Sequence, residues 1–308
     1  TALASCDTAE VTFSTGFTAT SGCYVLDAYT DLTGDGFAGN DSLLGYSAGL
    51  PLSGTFTLGG TTPDYTNFAA AKAVLECSGV SGPVVFHVRS GTYNEQLSLG
   101  TYSGMSGANS VTFQSDPANT TAPMVTYAGS GTGDNYVFRF LNSKYFTIDG
   151  LHIKSTGTTY GRVVSLDGTN DSISLINNVL EAPSVTTTSA DMAVIYDATS
   201  ANSHNTRVKG NDILNGSYGM YAYGASPSNL QDGLVIDSNN ITNFYYQGVR
   251  LYNNDAPKFT HNVVTTNSAN TNAYYLYGYY SDNAQVISDN RMSGIKDGYG
   301  IYLGNNDG

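Results

Sequence analysis

One asparagine recurs through the second half of the chain inside a fixed frame: an apolar residue, two variable residues, Asn, one variable residue, a second apolar residue. Residues 175–180, 208–213, 236–241, 259–264 and 287–292 fit it, with Asn178, Asn211, Asn239, Asn262 and Asn290 in the fourth place. Residues 148–153 fit with Leu151 there instead, and successive positions lie 27, 33, 28, 23 and 28 residues apart. A unit this short cannot bury its own apolar face, but stacked units one strand spacing apart bury it jointly. The frame therefore predicts a solenoid of coils, with loops of differing length on a fixed core. Stacking brings the Asn residues into one column. There each amide can bond the next coil and satisfy groups that a bend removes from the sheet, so the column is read as structural.

A second strand follows each Asn turn, over residues 219–223, 248–252, 275–279 and 300–304. Alternation with period two sends Met220, Val249, Leu276 and Ile301 inward, with Ala222, Leu251, Gly278 and Leu303 beside them. Tyr221, Arg250, Tyr277 and Tyr302 then face outward in one column, and Tyr223, Tyr252 and Tyr279 in another. Aromatic rings one strand apart form an amphipathic platform that suits sugar rings or a neighbouring subunit. This face is the candidate binding surface.

Composition agrees with an all-β chain: 35 Gly and 24 Tyr in 308 residues, no Trp, and only 12% charged residues. The formal charge of -13 disfavours nucleic acid, anionic lipid and polyanionic ligands. No apolar run is long enough to insert into a membrane. Cys6, Cys23 and Cys77 lack the paired spacing of a zinc site. A Cys6–Cys23 disulfide is open to an oxidising compartment, and Cys77 reads as a buried thiol.

Residues 64–78 are the best helix candidate, with Phe68, Ala71, Val74 and Leu75 on one face, Asp64 or Thr66 as N-cap and Gly79 as the stop. Such a helix can cover the end of a solenoid. Ahead of it, the segment DLTGDGFAGND (31–41) joins two strand-like stretches. Asp31, Asp35 and Asp41 give it a partial calcium-loop character, but Thr33 and Ser42 replace expected ligands, and a plain hairpin is the favoured reading. No cofactor other than calcium is expected.

Residues 54 to 100, with GPVVFHVRSGTYNEQL at their centre, resemble the opening of the pectin-lyase-like superfamily, in the variety found in giant cell-surface proteins of Bacteroidota exported by type IX secretion. The segment YTDLTGDGFAGNDSL resembles the closing hairpin of an immunoglobulin-like β-sandwich. The resemblance implies a right-handed parallel β-helix over 53–308, cut short at its C-terminal end, after the last part of an immunoglobulin-like domain and linker over 1–52. It also implies an extracellular, cell-surface setting, and no particular activity.

The esterase and polygalacturonase residue sets of that superfamily are absent. His152 beside Lys154, and Lys154, Arg162 and Arg207 on adjacent coils, are the only groupings that imitate a lyase base. Asp191 with Asp197, or Asp212 with Asp237, are the carboxylate pairs a glycosidase would need. Surface charge and turn chemistry account for each of these, so no catalytic residue is assigned. The expected function is a non-catalytic adhesive or structural segment of a surface or filament protein. Its expected partners are other copies, neighbouring domains of a longer chain and cell-surface glycans; a polysaccharide-active enzyme and a carbohydrate-binding β-helix are the alternatives.

Overall fold

The computed structural model describes residues 22–29, 42–198, 202–281, 283 and 285–305. Asp31, Asp35, Asp41 and Cys6 lie outside them. The chain is a right-handed parallel β-helix of about nine coils with three long sheets. The first sheet has nine strands, from Leu52–Leu58 and Val80–Val88 to Val286–Ser288. The second has eight, from Thr92–Asn94 to Arg291–Ser293. The third has eight: Leu97–Leu99, Phe138–Leu141, Val164–Asp167, Ile195–Asp197, Tyr218–Tyr223, Gln247–Tyr252, Tyr274–Tyr279 and Tyr299–Gly304.

Register turns the period-two alternation of each strand into columns. Inside the first sheet, Phe86, Phe113, Ile148, Leu175, Val208, Ile236 and Phe259 lie directly over one another. All seven are buried. Inside the second run Val125, Ile153, Leu180, Ile213, Ile241 and Val264. Phe86 and Phe113 stack with centroids 4.9 Å apart. Each coil is thus a lid for the one before it. Ile301 and Leu303 point along inner columns of the third sheet yet are 47% and 44% exposed, because among the described residues nothing stacks on their coil.

The bend between the first and second sheets is made by one residue in the left-handed region: Gly150, Asn177, Gly210, Ser238, His261 and Asp289, with φ between 54° and 69°. A lone left-handed residue turns the chain sharply and leaves the next amide unpaired. The following residue resolves this. Each Asn Oδ1 accepts from the backbone N of the Asn one coil earlier: Asn211 from Asn178 at 2.9 Å, Asn239 from Asn211 at 3.0 Å, Asn262 from Asn239 at 2.9 Å, Asn290 from Asn262 at 2.8 Å. Each Nδ2 donates back to the carbonyl of Ile148, Leu175, Val208, Ile236 or Phe259. Gly91, Pro123 and Leu151 hold the same place in earlier coils, before Thr92, Met124 and His152. The Asn frame therefore misses them, although the first strand of the stack is Leu52–Leu58.

The first coil gives a strand to the first sheet only; a helix, Phe68–Ser78, stands in for its other two sides. Phe68 enters the core and meets Tyr93 and Phe138 edge-on at 5.3 and 5.6 Å. The N-cap is Asn67, whose side chain accepts from Ala70 N, rather than Asp64 or Thr66. Asp64 is committed to Thr57. The Glu95 carboxylate accepts from Phe68 N and Ala69 N, where the helix dipole favours negative charge. Gly79 ends the helix at φ 63°, and a Cβ there would come within 2.4 Å of the Ser103 carbonyl. Before the helix, Gly22–Tyr29 and Ser42–Leu50 pair antiparallel. Cys23 in this pair is bonded to Cys77, with Cα atoms 5.9 Å apart. This corrects both cysteine expectations: Cys23 is not available to Cys6, and Cys77 is not a free thiol.

Candidate functional site

The outer face of the third sheet gathers the groups best suited to a ligand. Its register aligns Ser98, Arg139, Ser165, Tyr196, Tyr221, Arg250, Tyr277 and Tyr302 in one row. Tyr223, Tyr252 and Tyr279 form the adjacent row. The loops leading into the third sheet add Tyr136, Arg162 and Asp191. Half of the chain's six arginines therefore stand on one face of a protein of charge -13.

Each cation is held in place. Arg139 donates from Nε to Ser98 Oγ at 3.0 Å and lies 4.6 Å over the Tyr136 ring. Arg162 pairs with Asp191 at 3.0 Å, donates to the Ala190 carbonyl and covers Tyr196 at 3.4 Å. Asn135, buried beneath them, accepts from Arg162 N and donates to the Asp191 carbonyl. Arg250 sits amid Tyr221, Tyr277, Tyr252 and Tyr223, 5.3 to 6.0 Å from their centroids. Among the described residues no carboxylate is within ion-pair reach of Arg139 or Arg250. Cation–π contact stabilises a guanidinium by about 0.5–2 kcal/mol and leaves its N–H edge free to bind.

A second carboxyl, besides Asp191, shares this face. Asp167 accepts from Ser165 Oγ at 3.2 Å, and burial raises it above the ordinary carboxylate range although Arg139 and Arg162 oppose the shift. Burial also pushes the Tyr218 hydroxyl, under Arg250 and Tyr221, up to about 12.

The tyrosines do not form an open platform. Tyr223 and Tyr252 are stacked at 4.3 Å and 8°, Tyr252 and Tyr279 at 5.3 Å and 25°, Tyr277 and Tyr302 at 4.8 Å and 16°, and Tyr196 and Tyr221 at 5.4 Å and 21°. Rings one strand apart in register cover each other's faces, so the row offers solvent ring edges and hydroxyls. Tyr221 is only 9% exposed, walled by Tyr218 and the Ala190–Met192 turn. Beside these loops a groove of about 330 Å³ is lined by Ser184, Thr186, Asn243, Tyr245 and Ser268.

The sequence groupings that imitate catalysis are dispersed. Lys154 and His152 both bind Glu181 on the second sheet, at 2.8 and 2.9 Å. Arg162 stands before the third sheet and Arg207 on the first, so the three cations do not converge. Asp191 and Asp197 face opposite ways, since Asp197 points into the core and is 1% exposed. Asp212 bonds Asn240 on the second sheet, whereas Asp237 bonds Lys209, His261 and Thr260 on the first. Among the described residues no three His, Cys, Asp or Glu side chains gather as a metal site, and no helix is long and apolar enough to cross a membrane.

Arg139 and Asp167 were missed by the sequence reading because their coils carry Pro123 and Leu151 in place of the Asn, and Tyr196 because the third-sheet strand after Asn178 is only three residues long. Their signal was the short inward–outward alternation of Phe138–Leu141, Val164–Asp167 and Ile195–Asp197.

No protein-family model matches the chain, and no curated protein matches it in sequence. Among solved structures, the GH136 lacto-N-biosidase from Eubacterium ramulus superposes with a TM-score of 0.59 at 12% identity, over 82% of this chain and 54% of that one. The Dettilon tailspike protein superposes with a TM-score of 0.53 at 15% identity, over 79% and 44%. The pectin methylesterase from Aspergillus niger aligns over 83% and 86% at 14% identity, with a TM-score of 0.49. The chain spans about half the length of the lacto-N-biosidase and the tailspike. At these identities the likeness is one of fold, the parallel β-helix.

Proposed function

We propose that the chain is a carbohydrate-binding β-helix segment of a secreted cell-surface protein, in which the outer face of the third sheet holds a glycan along the solenoid axis and so serves attachment. The carrying observation is that Arg139 and Arg250, fixed by Ser98 and by tyrosine rings, present cationic N–H groups without an acidic partner among the described residues. Phenol hydroxyls about 4.8 Å apart continue the row. Planar guanidinium donors and rows of hydroxyls match the hydroxyls of an extended sugar chain. Stacking on sugar faces is not part of this reading, because the rings are stacked on one another.

On this reading the rest of the solenoid is a stiff spacer, and the antiparallel pair ahead of it belongs to an immunoglobulin-like neighbour. Type IX export from a member of the Bacteroidota fits that setting, as does calcium in the 31–41 loop. Cell-surface glycans are preferred to second copies as partners because the ring faces are already covered.

A polysaccharide-active enzyme is the second reading, favoured by one observation: Asp167, raised by burial, shares a face with Asp191 and lies within the field of Arg139 and Arg162. A glycosidase general acid needs such a carboxyl.

Binding to an array of extended glycans, followed by titration calorimetry on the hits, tests the proposal. Arg139→Ala and Arg250→Ala are each expected to weaken binding by about 10-fold or more, the loss of one charged hydrogen bond. Binding of no glycan by the folded protein would overturn the first reading, and release of reducing ends by wild type but not by Asp167→Asn would establish the second.

A further inference from the structure

We propose that Tyr223, Tyr252 and Tyr279 form an oxidative cross-linking site, at which a haem peroxidase with hydrogen peroxide joins successive coils through dityrosine. The three residues lie in register on neighbouring third-sheet strands, so their Cα atoms are fixed one strand spacing apart. Tyr223 and Tyr252 are the closest and most nearly parallel of the stacked tyrosines, at 4.3 Å and 8°. Their hydroxyls also interact with each other. Two overlapping phenols with adjacent hydroxyls point the same way, which lays the ortho carbons of one ring over those of the other.

The chemistry needs that overlap. Each phenol gives up one electron and its hydroxyl proton, becoming a neutral phenoxyl radical whose spin is shared with the ortho carbons. The two radicals pair to form one carbon–carbon bond between ortho positions. The hydrogens on those carbons then move to the two oxygens and restore both aromatic rings. The two electrons and two protons lost reduce one hydrogen peroxide to two waters. Loss of the proton with the electron matters here, because a ring cation would be disfavoured beside the Arg250 guanidinium, 5.6 Å from Tyr252 and 6.0 Å from Tyr223.

Two further features direct oxidation to this row. The chain has no Trp, so tyrosine is its most readily oxidised aromatic side chain. The row is also continuous with other rings: Tyr221 stacks on Tyr223 at 5.8 Å and Tyr277 on Tyr279 at 6.4 Å. A radical formed on any of them can migrate to the closest pair. Tyr223, Tyr252 and Tyr279 are half-buried with their edges outward, so an external oxidant reaches them without unfolding the coil.

The test is peroxidase and hydrogen peroxide treatment of the intact chain, read by dityrosine fluorescence and by mass spectrometry of cross-linked peptides. The expected product joins the peptides carrying Tyr223 and Tyr252, or Tyr252 and Tyr279, with a yield per molecule that does not change on dilution. Tyr252→Phe keeps the ring and the stack but loses most of the product, whereas Tyr160→Phe, outside the row, keeps it. Wild-type yield in Tyr252→Phe, a yield that falls on dilution, or no dityrosine in a protein shown to be folded would each overturn the proposal.

Discussion

Asp197 occupies an inner column of the third sheet whose neighbours in register are Leu99, Phe140, Leu166, Ala222, Leu251, Gly278 and Leu303. Ser203 Oγ donates to its Oδ1 at 2.9 Å, its Oδ2 is buried, and the Gln231 side chain beside it favours the charged form. Burial, with the charge of Asp167 added, lifts this carboxyl from 3.8 to about 8. The neutral acid is thus the folded form at neutral pH, and the unfolded chain ionises first. This group costs nothing below 3.8, and its cost to stability grows as pH rises from 3.8 towards 8. Asp197→Asn, which removes the ionisable group, is therefore expected to leave Tm unchanged near pH 4 and to raise it by roughly 2–4 °C or more at pH 8. A Tm gain that is the same at both values would contradict the assignment. The Asn ladder shows the complementary case, since every buried amide of Asn178, Asn211, Asn239 and Asn262 has its partner in the next coil.

At the scale of the element, the capping helix is held from two directions. Glu95 fixes its N-terminus and the Cys23–Cys77 bond ties its last turn to the antiparallel pair. The bond closes a separation of 54 residues. Cross-links over loops of this length stabilise by about 2–4 kcal/mol. Reduction, or Cys23→Ser, is expected to lower stability by that order in denaturant unfolding while the central coils keep their far-ultraviolet signal. The helix itself was legible in the sequence through Phe68, Ala71, Val74 and Leu75, all of which are buried. The partner of Cys77 was not, because pairing depends on where the hairpin docks, and residue spacing says nothing of docking. The N-cap moved from Asp64 to Asn67 for a similar reason: Thr57, on a neighbouring strand, claims Asp64.

The whole molecule is a stack in which each coil contacts only its neighbours, so stability is expected to be graded along the axis. The helix closes one end, whereas Tyr299, Ile301 and Leu303 at the other are 53%, 47% and 44% exposed. Hydrogen exchange should be fastest in Val286–Ser288, Arg291–Ser293 and Tyr299–Gly304 and slowest in the coils of Lys144–Asp149 to Tyr218–Tyr223; uniform protection along the stack would refute this gradient. The solenoid, its inward residues and the two tyrosine rows were determined by the sequence alone, because a period of two within strands and of about 28 between them admits one stacking register. Tertiary structure decided which face carries the cations, since Arg139, Arg162 and Arg250 come together only when coils of unequal length are laid in register. It also decided what the tyrosines offer. A strand pattern tells which way a side chain leaves the sheet, but the orientation of its ring is set by the ring on the next coil, and in this protein that neighbour is another tyrosine.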